Sequence, residues 1–113
     1  MLGDFNDVPG SLMYQVVAGA GFGDAWSAIH PNETGLTCCH LANLANETAT
    51  FDQRIDYVFA RGIGRLNEGR GSIVRVGASR QDRIRGPAHF IWPSDHAGLV
   101  AGLTVPPSLG ESD

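Results

Sequence analysis

Lysine is absent from this 113-residue chain: all eight basic residues are arginine, and all fall between Arg54 and Arg85. No apolar run approaches the roughly 20 residues that a membrane-spanning helix requires. Nor does the start show a basic segment followed by an apolar one, the pattern of a secretory leader. Cysteine is nearly absent too. Cys38 and Cys39 are adjacent and have no third cysteine to pair with, and neighbouring residues close a disulfide only under severe local strain. Buried thiols in a short strand are therefore expected, and nothing demands an oxidising compartment. "CCH", with His30 nearby, lacks the spaced Cys-x-x-Cys pairs of structural zinc. A surplus of positive charge is also missing: the net charge of −4 argues against a strongly basic nucleic-acid binder.

What is present suits one small globular domain. Apolar residues make up 42% of the chain and charged residues 18%, which excludes a disordered composition. The arginine window holds only Asp56, Glu68 and Asp82 as acids, so the flanks are acidic. Such a band beside an acidic cluster suits a phosphate near a bound cation, and it reads equally well as a solvated loop region.

The chain opens on "MLGDFNDVPG", where Met1–Leu2 runs at once into a polar turn. That is the exit of a buried strand, so a C-terminal fragment, truncated at its start, is expected. Further on, "SLMYQVVAGAGF" places Leu12, Val16 and Ala20 at helical spacing, with Ser11 as N-cap and Gly19 or Gly21 as terminator. "GDAWSAIHP" reads as a short helical turn, and "TCCHLA" as a short strand or its edge. "RIDYVFARG" is the clearest strand, closed by Gly62, with Ile55, Tyr57 and Phe59 on one face and Asp56, Val58 and Ala60 on the other. "SIVRVGAS" and "AGLVAGLTV" are further strands, and "RQDRIRGPAHFIWP" between them is a mixed loop. The domain is expected over 1–105, with 106–113 as a flexible tail. Strands with one good helix give an α/β or α+β class.

Three acidic motifs stand at strand ends or on a strand face: "GDFND" with Asp4 and Asn6, "RIDYVF" with Asp56, and "PSDHAGLV" with Asp95 and His96. Each has a bland account. "GDFN" serves as a turn, "SDH" as a cap or loop cluster, and Asp56 as the partner of Arg54 or another arginine. Together they carry more. Carboxylates gathered on one rim repel one another unless a cation sits among them, and oxygen ligands suit Mg²⁺ or Mn²⁺. A lone carboxylate is costly to bury mid-strand, and His96 is the partner that would relieve Asp56 while fixing its own imidazole tautomer. Phosphodiester cleavage needs an activated water, charge neutralisation and a positioned donor, all within the scope of this set.

In "GDFN" at 3–6, "RIDYVF" at 54–59 and "SDHAGLV" at 94–100, nearly the whole chain resembles the C-terminal half of the endonuclease/exonuclease/phosphatase superfamily. The resemblance implies the deoxyribonuclease I-like fold, a sandwich of two β-sheets flanked by helices, of which this chain would form one mainly antiparallel sheet with one or two helices. It implies a Mg²⁺- or Mn²⁺-dependent phosphoesterase acting on nucleic acid, a phospholipid headgroup or a phosphoinositide. Asp4 would orient or deprotonate the attacking water and join Asp95 at the metal, and Asn6 and Arg54 would contact the substrate phosphate. His96 would act on that phosphate and Asp56 would orient it, with the identity of the general base left open. The family's first half supplies a metal-binding Glu, an Asn and a further His for which this chain has no counterpart. An exposed apolar face, association with something that covers it, or a catalytically inactive interaction module is the corresponding expectation.

Overall fold

The computed structural model describes residues 1–61 and 71–103. Gly62, expected to close a strand, and the expected tail 106–113 lie outside the described residues. In chain order the elements are β1 (Leu2–Asp4), α1 (Leu12–Gly19), β2 (Gly23–Asp24), α2 (Ala25–Ile29), β3 (Asp56–Ala60) and β4 (Gly71–Val76). A 3-10 turn (Arg80–Asp82), β5 (Ile84–Arg85), β6 (Phe90–Ile91) and β7 (Gly98–Leu103) complete them. The class is α+β, with every strand pair among the described residues antiparallel.

β3 is central, with β1 on one side and β2 on the other. Its alternation follows the pleat: Tyr57 and Phe59 are buried, while Asp56, Val58 and Ala60 are half-buried on the other face. The single sheet expected from the sequence is divided into three. β4 pairs with β7, and β5 with β6. The lead-in to β7 gives its backbone to another partner, since Ala97 N–H donates to Thr37 O at 2.8 Å and Cys38 pairs with both Gln53 and His96.

Ser11 caps α1 through its Oγ, which accepts from Tyr14 N–H at 3.2 Å. The helix does not bury the stripe that its spacing suggests. Leu12 is 76% and Val16 63% exposed, and it is Met13, Tyr14 and Val17 that turn inward. Tyr14 is held there by its hydroxyl, which donates to Asp24 Oδ2 at 2.9 Å, and by its ring, 5.8 Å from that of Tyr57. A polar anchor and an aromatic contact thus set the helix's rotation against its aliphatic pattern.

α2 is capped by Asp24 and packs Ala25, Trp26 and Ile29 against Ile73 of β4, with Val58, Leu99, Ala101 and Leu103 around them. Phe5, Tyr14, Tyr57 and Phe59 form an aromatic layer under β1, with Phe5 edge-on to both β3 rings. Trp92, fully buried, stacks on His40 at 4.0 Å and anchors the segment that precedes β7. The free thiols expected at Cys38 and Cys39 are not found: the two sulfurs are joined across a cis peptide whose Cα atoms lie 3.0 Å apart.

Candidate active site

Asp4 ends β1 and Asp56 opens β3, and the two stand directly opposite in register. Like charges facing across an antiparallel pair destabilise it. His96 relieves the conflict. Its Nδ1 lies 2.7 Å from Asp56 Oδ2, and its Nε2 lies 3.8 Å from Asp4 Oδ2. An ionised carboxylate only accepts hydrogen bonds, so Nδ1 carries the proton shared with Asp56 and Nε2 is the nitrogen turned toward Asp4. Burial pulls the imidazole pKa down, but the hydrogen bond and charge of Asp56, joined by the charges of Asp95 and Asp4, outweigh it and leave His96 above its ordinary value.

The geometry rests on buried groups around it. Thr37, fully buried, accepts through Oγ1 from the backbone N–H groups of Ile55 and Asp56 at 3.2 and 3.3 Å. Its carbonyl accepts from Ala97 N–H, so one residue sets the distance between β3 and the His96 segment. Tyr57 donates its hydroxyl to Asp7 O at 2.8 Å and to Arg54 O at 3.0 Å, tying the "GDFND" turn to the strand. Asn6, at φ 57, donates its backbone N–H to Asp4 Oδ1 at 2.8 Å and so fixes that carboxylate, while its own side chain is exposed. His40 donates its backbone N–H to Asp95 O at 3.1 Å and lies between Phe51 and Trp92. Burial keeps its imidazole pKa low against the opposing charge of Asp95. None of Thr37, Tyr57 or His40 carries a pattern in the sequence that marks it as a support.

The Endonuclease/Exonuclease/phosphatase family model matches residues 1–96, which takes in the first two acidic motifs and the third as far as Asp95 and His96. The chain belongs to that family. A search of curated proteins and a search of solved structures each return no match.

This member of the family gathers Asp4, Asp56 and His96 with ligand atoms all within 4.8 Å of one another. Asp95 is not in that group. It stands exposed beside it, and its charge still reaches His96. Arg54 departs further. Its guanidinium is buried, holding both carboxylate oxygens of Asp24 at 3.0 and 2.6 Å and Ser27 Oγ at 2.9 Å, above the Tyr57 ring. Burial opposes the charge of Asp24, but the paired arginine prevails and holds that carboxyl below the usual range. Buried and engaged by Asp24 and Ser27, Arg54 serves the fold in this structure, where the resemblance implies a phosphate contact.

Proposed function

We propose that this chain carries the catalytic centre of a divalent-metal-dependent phosphoesterase that hydrolyses phosphodiester or phosphomonoester bonds. The observation that carries the reading is His96 held by Asp56 at 2.7 Å with the Asp4 carboxylate across its other nitrogen. Asp56 orients the ring and favours its cationic form, so Nε2 can donate to a phosphoryl oxygen or return a proton to it. Asp4, fixed by Asn6 N–H, directs the attacking water, and the general base is one of Asp4 and His96. The exposed Asn6 amide would reach the scissile phosphate.

Two carboxylates and an imidazole suit Mn²⁺, and the carboxylates alone suit Mg²⁺, which keeps much of its water shell. Asp4 would hold the ion, with Asp56 beside it in the cluster and Asp95 a further carboxylate that the resemblance assigns to the metal. Bound there, it would supply charge neutralisation on the phosphoryl oxygens. We infer that the antiparallel pairs are parts of a deoxyribonuclease I-like sandwich over residues 1–105, followed by a tail at 106–113. A groove of about 420 Å³ between β1–β3 and β7, lined by Leu2, Val58, Leu99, Ala101 and Leu103, is where an association partner would sit.

The test is hydrolysis of bis-nitrophenyl phosphate by the 113-residue chain with Mn²⁺ or Mg²⁺, beside calorimetry of Mn²⁺ binding. Loss of a proton-transfer group costs about 10²–10⁴-fold in rate, and that drop is expected for His96→Ala. Asp4→Asn is expected to weaken Mn²⁺ binding as well. Unchanged turnover in both variants would refute the assigned roles. A folded chain that binds no metal and turns over no ester would instead be a non-catalytic interaction module.

A further inference from the structure

β5 and β6 form a short hairpin closed by Gly86 N–H donating to His89 O at 2.8 Å. Arg85 faces Phe90 in register, and Ile84 faces Ile91. Directly opposed residues share a face, so Arg85 and Phe90 lie on one side, joined by Arg83 two residues earlier. The guanidinium carbons of Arg83 and Arg85 lie 5.2 and 5.7 Å from the Phe90 ring centre. Arg80, on the 3-10 turn just before, reaches the same concavity, which has a volume of about 520 Å³ and is lined also by His89 and Glu47. Glu47 pairs with Arg80 at 3.1 Å, both groups being well exposed. Exposed pairs of this kind contribute little and exchange partners readily. No carboxylate among the described residues pairs with Arg83 or Arg85.

We propose that this hairpin face binds the sugar–phosphate strand of a single-stranded polynucleotide, outside the Asp4–Asp56–His96 centre. The proposal rests on reading that centre as a phosphoesterase. Three arginines spread around one concavity outnumber what a single small anion needs, and they suit a series of phosphates, each gripped by a planar fork. The Arg83–Phe90–Arg85 layer offers flat guanidinium and aromatic surfaces on which unpaired bases stack. A lipid surface is a poorer fit, because the hairpin tip, Gly86–Pro87–Ala88, carries no bulky apolar side chain to insert.

The hairpin is also anchored to the loop around Leu44–Asn46. Trp92 follows β6, donating its backbone N–H to Leu44 O at 2.9 Å and its indole N–H to Asn46 O at 2.7 Å. Only six peptide steps separate Phe90 from His96, so their Cα atoms lie at most about 22 Å apart. An extended strand of a few nucleotides is long enough to cover that distance.

The experiment is fluorescence anisotropy of a labelled twelve-nucleotide DNA strand with the 113-residue chain. Metal is chelated, so binding is read without turnover and stands apart from hydrolysis at the Asp–His centre. About three phosphate contacts predict a slope of log affinity against log salt near −2. Arg83→Ala with Arg85→Ala should cut affinity about tenfold or more and bring the slope to about −1 or shallower. Arg83→Lys with Arg85→Lys should keep most of the slope while weakening binding, and Phe90→Ala should weaken it with the slope kept. Arg85 and Phe90 are exposed and Arg83, whose Nε donates to Arg80 O at 3.1 Å, is half-buried; circular dichroism confirms that each variant is folded. Absence of strand binding, binding indifferent to the arginine substitutions, or binding to phosphatidylserine vesicles in place of the strand would each overturn the proposal.

Discussion

Arg54 shows how two identical charges acquire different work from their surroundings. Arg85 is left on the surface with room for a ligand, whereas Arg54 is enclosed with Asp24, side chains 8% and 4% exposed. Breaking such a pair by removing one member strands the other as an uncompensated buried charge, which costs about 3–5 kcal/mol. Arg54→Ala should therefore lower the unfolding free energy measured by urea titration by that amount, while Arg54→Met with Asp24→Asn should recover a large part of it. A substrate contact would behave otherwise, leaving stability near wild type and raising KM. The sequence places Arg54 immediately before the Asp56 strand, and that proximity suggests a role at the site. It gives no hint of Asp24, thirty positions away, because nothing periodic links an ion pair's two halves. Asp56 and His96 are further apart still, at forty positions, yet their partnership is legible, since a carboxylate forced into a strand requires a partner and only a few residue types can serve.

Elements are legible where local chemistry and period agree. Ser11 marks the start of α1 because a hydroxyl there answers an orphan amide, and β3 announces itself by branched and aromatic alternation. The β5–β6 hairpin does not, since each strand is two residues long and prolines stand within and just after it. The short α2 depends on a contact that no pattern displays. Gly35 has φ 63, and a Cβ there would overlap the Trp26 indole, whose N–H donates to Glu33 O at 2.9 Å. Gly35→Ala combines a left-handed backbone penalty with overpacking, for a loss of at least about 2 kcal/mol. Gly19→Ala is the matched control: its Cβ would meet nothing, so stability should hold or rise by up to about 1 kcal/mol. Urea titrations followed by tryptophan fluorescence separate the two, and equal midpoints would show that the close fit between the 35 turn and Trp26 has no energetic consequence.

At the scale of the whole molecule, pH sets two histidines against each other. His40 is buried with a pKa below its ordinary value, so the unfolded chain takes up its proton first as pH falls, and this group favours folding less in acid. His96 has a pKa raised above 6.5, so the folded chain holds its proton more tightly. Between 6.5 and that raised value the native state binds more protons than the unfolded one, and stability falls as pH rises. The contribution of His96 is thus complete below about 6.5 and vanishes as pH climbs through its folded pKa. Asp56 is the main reason, through its hydrogen bond and charge, followed by the charges of Asp95 and Asp4, and Asp56 and Asp4 face each other across β1 and β3. Unfolding of wild type and His96→Gln, compared in chelator at pH 5.5 and pH 8.5, isolates this term because His40 and every other group are common to both. The stability lost on substitution should be clearly larger at the lower pH. A difference that is constant with pH, or larger in alkali, would mean that no cationic ring bridges those carboxylates.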